Sequence, residues 1–298
     1  QTAFAILYDD VNVYVAIQCF DTEAEKIESR LARRDEWEGD LIAVSFDSYN
    51  DDRTGFFFMV NAAGVKIDGI IPNDRLSNLD DTMDPIWDVK TKIHAEGWNA
   101  EMKIPLSQLR FSAKEKQVWG LSFERRIFRA DEWSSWPNIS NSSSGFVSEF
   151  GELHGIENIN PLKQVEIAPF IVAKTEIYEE EEGNPFKDGT DLGFTTGVDG
   201  KIGLTNDLIL DFAINPDFGQ VEADPSEVNL SAFESFFEEK RPFFIEGKNI
   251  TNFQLTSGGS PWSSENLFYS RRIGRRPHGN PNIEDNEYIK QPNNSRIL

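Results

Sequence analysis

The sequence predicts an all-β protein: an antiparallel β-sandwich in the first half, then a further set of longer antiparallel strands. Three observations carry this. Short apolar or alternating runs recur at roughly ten-residue spacing through the first half, separated by turns rich in Gly, Pro, Asn and Asp, without helical periods between them. Beyond about residue 160 the alternating stretches lengthen and fill with Gly and Thr, a pattern shared by transmembrane β-barrel strands and by soluble sheets. No apolar run reaches roughly 18 residues, so the sequence holds no transmembrane helix.

Taken in order, 3–8 (AFAILY) and 13–20 (VYVAIQCF) read as strands joined by the turn Asp9-Asp10-Val11-Asn12. A charged stretch from Glu23 to Glu38 has no clean period. Runs 41–47 (LIAVSFD) and 55–61 (GFFFMVN) flank the polar turn Tyr49-Asn50-Asp51-Asp52-Arg53, and Ala62-Ala63-Gly64 leads into Val65–Ile71. Run 87–94 (WDVKTKIH) alternates. Glu96-Gly97 then turns the chain into Trp98, Ala100, Met102 and Ile104 on one face, ended by Pro105. Trp119–Phe128 closes the sandwich series. In the second half Val165–Ile177, Leu192–Leu204 and Leu208–Ile214 alternate, the last two joined by the turn Thr205-Asn206-Asp207. Asn215-Pro216-Asp217-Phe218-Gly219 breaks the pattern, Ser226–Phe237 reads as a short helix capped by Ser226, and the tail from Ser257 reads as loop.

The 298 residues are 39% hydrophobic with 23 Phe, enough for a real core. A net charge of −22 repels nucleic acid and anionic lipid, which removes both as non-specific partners. The single cysteine, Cys19, sits in an apolar run and reads as a small buried hydrophobe; one cysteine makes neither an internal disulfide nor a zinc cluster. The chain opens at Gln1-Thr2-Ala3 almost directly into a strand, so a targeting segment is expected upstream.

Leu7-Tyr8-Asp9-Asp10 with Val13-Tyr14-Val15, Asp40 with Phe46-Asp47, Phe56–Asn61 with Ala63-Gly64, and Gly97-Trp98-Asn99-Ala100-Glu101 with Ile104-Pro105 together resemble the family 9 carbohydrate-binding module. The second half is similar to a family of bacterial envelope proteins in which such a sandwich precedes a predicted outer-membrane β-barrel. The residues that carry this are Asn215–Asp224, Val228-Asn229-Leu230, Phe236–Glu246 and Phe268–Gly274. The resemblance implies a sandwich over residues 1–158 with its first strand or two upstream of Gln1. It implies the start of a barrel over 159–298 with a plug-like insertion; the run Glu238–Phe244, which mixes charges with aromatics, would plug or line the barrel lumen or else form an ordinary surface helix end. It also implies the outer membrane of a Gram-negative bacterium as location.

Sugar binding needs aromatic faces beside polar groups. Trp37, Trp87, Trp133 and Trp136 lie in or beside loops and are the candidate ligand-binding residues, Trp133 and Trp136 forming the best pair. Trp98 and Trp119 sit in alternating strands and read as core. Structural calcium would need clustered oxygens. Asp9, Asp10, Asp47, Asp51 and Asp52 are the candidates, with Asp80, Asp81 and Asp84 as a further acidic group, and no other cofactor is implied. His94, His154 and His278 are isolated. No nucleophile elbow, zinc-protease motif or phosphate loop is present, so no catalytic constellation is found. The expected function is a non-catalytic envelope protein whose sandwich binds a glycan or polysaccharide. The rivals are a transport or assembly component whose sandwich docks another envelope protein, and an envelope glycoside hydrolase.

Overall fold

The computed structural model describes residues 1–81, 83–140, 142–160, 165–204 and 208–216, together with 239, 242–245, 268–273, 282 and 287–288. The chain divides into two compact units, Gln1–Gln164 with Gly203–Ile209, and Val165–Ile202 with Leu210–Leu298.

The first unit is an all-β, antiparallel sandwich. One sheet has the order β1-β2-β7-β6, from β1 (Thr2–Tyr8), β2 (Asn12–Phe20), β6 (Asp88–His94) and β7 (Gly97–Pro105). The other has the order β10-β8-β3-β4-β5, from β3 (Leu41–Asp47), β4 (Gly55–Asn61), β5 (Lys66–Ile71), β8 (Lys116–Ile127) and β10 (Gly151–Glu157). β9 (Glu132–Trp136) pairs the second half of β8 on the edge whose first half pairs β10.

The inner faces of the two sheets bury Val13, Val15, Ile17 and Cys19 with Trp98, Ala100, Met102 and Ile104, against Val44, Phe46, Phe58, Trp119 and Leu121. This is the period-two pattern of a half-buried strand. β3 and β4 are buried at every position, because loops cover their second face over Leu41, Ala43, Phe57, Met59, Ile67 and Ile71. Burial on both faces explains why these two runs are continuously apolar while β2 and β7 alternate. Trp98, Trp119 and Cys19 are core residues, as expected, and burial pushes the Cys19 thiol up to about 12. Gly97 turns β6 into β7 at φ +134°, where a Cβ would stand 2.0 Å from the Cys19 carbonyl oxygen, so no side chain fits.

The second unit contains a three-stranded sheet of order β11-β12-β13, from β11 (Val165–Ile177), β12 (Thr190–Gly203) and β13 (Ile209–Ile214). Its faces differ sharply. The β11–β12 register puts Val165, Ile167, Ile171 and Ile177 on the side of Leu192, Phe194, Val198 and Ile202. Of these, Val165, Ile167, Ile171, Ile177, Leu192 and Phe194 are exposed. Glu166, Lys174, Glu176, Asp191, Asp199 and Lys201 alternate to the other face. Among the described residues no helix is long and apolar enough to cross a membrane, which says nothing of membrane-crossing strands.

The expected helix over 226–237 and the turn 205–207 lie outside the described residues. Of the expected plug-like run, Glu239 is buried and accepts the Ser270 hydroxyl at 2.5 Å, and Pro242–Ile245 form one helical turn.

Candidate functional site

The loop between β2 and β3 carries Trp37, and buried polar groups hold that loop in place. Asn61, fully buried, donates its amide to the carbonyls of Arg30 (2.7 Å) and Glu38 (3.1 Å). Its own oxygen accepts the amides of Ala63 and Val65. The Glu28 amide donates to the Asp40 carboxylate at 2.8 Å. The Arg34 guanidinium reaches both oxygens of buried Asp68 at 2.6 and 2.8 Å, and Asp35 accepts the Asp68 amide at 3.2 Å. Burial pushes the Asp35 carboxyl up to about 6. Asp35 thereby covers the first part of the β5 edge, whose later part is bridged by Asp80 to Ile70.

So fixed, the Trp37 ring stacks on Phe57 (centroids 5.8 Å, planes 12° apart) and meets the Trp133 ring at 6.0 Å and 51°. The Arg126 guanidinium lies 5.6 Å from the Trp133 ring centre and donates to the Trp37 carbonyl at 3.4 Å, tying the two tryptophans together. Trp37 is 36% exposed and Trp133 46%. They form a two-ring platform on the sheet face that looks away from the core.

Beside Trp133 lies a groove of roughly 1000 Å³, walled by Ser135 and Asn138, by Ser140, Ser143 and Ser144, and by the 74–77 loop. Asp74 fastens the far wall by accepting the amides of Phe146 and Ser148 at 2.8 and 2.9 Å and the Ser148 hydroxyl at 2.8 Å. Burial alone would raise the Asp74 carboxyl, but these donors outweigh it and hold it below its ordinary value. The groove floor includes Glu124, which accepts the hydroxyls of Ser122 and, at 3.4 Å, Ser45. Burial pushes the Glu124 carboxyl up to about 7. Asp74 and Glu124 thus line one groove with their acidities moved apart, Asp74 lowered by its donors and Glu124 raised by burial. The serine hydroxyls and the Asn138 amide along the groove can exchange hydrogen bonds with a polyhydroxylated ligand.

The candidate tryptophans fare differently. Trp37 and Trp133 come together. Trp136 does not join them: β9 is a strand, not a loop, and a spacing of three residues puts Trp133 and Trp136 on opposite faces. Trp136, 44% exposed, packs instead on Phe4 (5.3 Å) and Phe123 (6.4 Å), above Gly151. Trp87 is a correction. At 1% exposure it is a core residue, edge-on to Phe58 at 5.5 Å and donating its indole N–H to Asp68 at 2.9 Å. Its apolar body packs in the core while its N–H is satisfied by the Asp68 carboxylate.

The expected calcium ligands are not assembled either. Asp9 accepts the amides of Val11 and Asn12, Asp47 those of Asp51 and Asp52, and Asp51 those of Arg53 and Thr54. Each of these carboxylates closes its own turn. No group of three or more His, Cys, Asp or Glu side chains among the described residues could hold a metal ion, which covers Asp10, Asp52, Asp80, Asp81 and Asp84 as well. Glu124 was not singled out by its type, since it is one of 51 acidic residues. Its signal is positional: Ser45, Ser122 and Glu124 interrupt the apolar period on one face of β3 and β8.

Residues 163–298 match the family described as Domain of unknown function (DUF5916). No curated protein matches. Among solved structures, the chain is similar to a family 9 carbohydrate-binding module from Caldicellulosiruptor kristjanssonii, in complexes with glucose and with cellotriose. The identities are 19% and 17% and the TM-scores 0.38 and 0.37, over 54% of this chain and 80% of that one. It is also similar to a Bacteroides uniformis ATCC 8492 protein described provisionally as carbohydrate-binding, at 14% identity and TM-score 0.41, over 52% of this chain and 78% of that one.

Proposed function

We propose that the sandwich of residues 1–158 is a non-catalytic module that binds a neutral glycan, and that residues 159–298 open an outer-membrane β-barrel that attaches it to the envelope of a Gram-negative bacterium. One observation carries the binding reading: two exposed indole rings, Trp37 and Trp133, held at 6.0 Å beside a serine-lined groove. Indole faces stack on the apolar side of a pyranose while hydroxyl and amide groups meet its rim. The groove volume stands at the upper end of small-molecule sites, which suits an oligosaccharide rather than a single sugar. The strongly negative chain disfavours acidic polymers.

What supports the barrel is the second unit's sheet. Its exposed apolar face and charged opposite face fit a lipid side and a lumen side. β11 and β12, with 13 and 14 residues, exceed the length of about ten that a tilted strand needs to cross the hydrocarbon core.

The binding reading is tested by screening the full chain against immobilised neutral and acidic polysaccharides, with Trp37→Ala and Trp133→Ala alongside. Saturable binding to a neutral glycan, weakened in both variants, is expected. Binding confined to acidic polymers contradicts the reading. The attachment reading is tested by extraction: membrane-bound material released only by detergent is expected, and a chain recovered in the aqueous fraction sinks it.

A further inference from the structure

A polar strip crosses the face of the six-stranded sheet that lies under the groove. Ser45 on β3, Ser122 and Glu124 on β8 and Ser135 on β9 lie side by side, because Ser45 pairs with Ser122 and Glu124 with Ser135. Within this strip Glu124 is 5% exposed and lines the groove. Its hydrogen-bond shell is incomplete. An ionised carboxylate offers about four acceptor sites, whereas each serine hydroxyl holds one proton. The Ser122 hydroxyl is divided between Glu124 and the Trp136 carbonyl at 3.2 Å, and the Ser45 hydroxyl reaches Glu124 only at 3.4 Å. The Ser135 oxygen is occupied by the Ile139 amide at 3.1 Å.

The charged groups on the elements around Glu124 are Arg126 on the same face of β8, Asp47 further along β3, and Asp74 and Arg75 on the groove wall. β9 contributes Trp133 and Ser135 to that face and no charge. Arg126 is engaged with Asp131 at 3.3 Å and with the Trp37 carbonyl, and Asp74 with its three donors. Burial, opposed by the two serines, is what raises the Glu124 carboxyl.

We propose that Glu124 is a ligand-reading group of the groove: its ionised carboxylate accepts hydroxyl donors from the bound sugar, which complete the shell that the serines leave open. This rests on the glycan-binding reading above. Occupancy and ionisation are then linked, since a ligand that binds the ionised form preferentially expels a proton and binds less tightly where Glu124 is protonated. The crossover falls where the carboxyl titrates, at about 7. A hydrogen bond to a charged acceptor carries about a tenfold factor in affinity, and that is the size of the effect expected.

The test is calorimetric titration of the full chain with cellotriose, xylotriose and mannotriose at about pH 5.5 and about pH 8.5, in two buffers of different ionisation enthalpy. At least one trisaccharide is expected to bind about tenfold more tightly at the higher pH, releasing protons near neutrality. Glu124→Gln, a neutral isostere, is expected to bind with the low-pH affinity at both values. Binding without pH dependence or proton release, or a pH dependence that survives in Glu124→Gln, overturns the role of Glu124 and leaves the glycan reading standing. Absence of binding by all three sugars at both pH values overturns both. Should Glu124→Gln fold poorly, the carbon-13 shift of the Glu124 carboxyl in the unmodified chain decides: ionisation of that carboxyl on sugar binding supports the role, and its absence overturns it.

Discussion

Replacing Arg34 by methionine keeps much of the side chain's length and apolar stem while removing both bonds to Asp68, at 2.6 and 2.8 Å, and the contact with Asp84 at 2.8 Å. Asp68 is fully buried and would keep one strong partner, the Trp87 indole at 2.9 Å. Removing one partner of a buried ion pair costs about 3–5 kcal/mol. The low end, about 3, applies here because Arg34 is partly open to water. For a domain of this size that corresponds to a fall of roughly 6–12 °C in melting temperature. The sign with pH follows from linkage. Burial holds the Asp68 carboxyl above its ordinary value even with Arg34 present, and loss of the guanidinium raises it further. Stability tied to the protonated form is therefore present at low pH and lost as pH rises through the folded-state value. The deficit of Arg34→Met should be full at neutral pH and shrink in acid. Asp68→Asn should recover most of it, because the double variant removes the uncompensated charge at the fully buried position 68. Thermal denaturation of the four proteins at neutral and acid pH measures this. An Arg34→Met protein that melts like the unmodified chain at neutral pH, or a deficit unchanged by Asp68→Asn, refutes the reasoning.

Three further outcomes follow from the same structure. Glu124→Gln should raise stability at about pH 8.5 and leave it unchanged at about pH 4. A carboxyl raised to about 7 stabilises the fold in its protonated form, and that contribution is lost as pH climbs from the unfolded value through 7; equal melting curves at both pH values contradict this. Cys19, buried with its thiol pushed up to about 12, should react with a thiol reagent only after denaturation, and rapid labelling of the native chain would show the site is open. Gly97→Ala should be strongly destabilising or abolish folding, because its Cβ would meet the Cys19 carbonyl at 2.0 Å at φ +134°; a chain that melts normally contradicts this.

The strands that build the sandwich core were legible because burial on one face writes a period of two, as in Val13, Val15, Ile17 and Cys19. β9 and β10 were not, since half-exposed edge segments such as Glu132–Trp136 carry no such period. The same gap misled the reading of the pair Trp133 and Trp136: proximity in sequence suggests a shared site for loop residues and opposite faces for strand residues. Trp87 shows the limit from another side. Asp84-Pro85-Ile86 before it reads as loop, and the partners that hold the ring inward, Phe58 and Asp68, are distant in sequence. The meeting of Trp37 with Trp133 depends on how Asn61 and Arg34 fold the intervening loop onto the sheet, a set of long-range bonds without a local signature. Glu124 likewise becomes visible only when β3 and β8 lie side by side.

The central claim is that glycan binding belongs to the Trp37–Trp133 face and its groove. It is tested most directly by titrating one neutral oligosaccharide into the full chain and its Trp133→Ala and Trp136→Ala variants. Saturable binding that is lost in Trp133→Ala and kept in Trp136→Ala, whose ring lies on the other face of β9, is the predicted result. Equal loss in both variants, or binding untouched by Trp133→Ala, would contradict it.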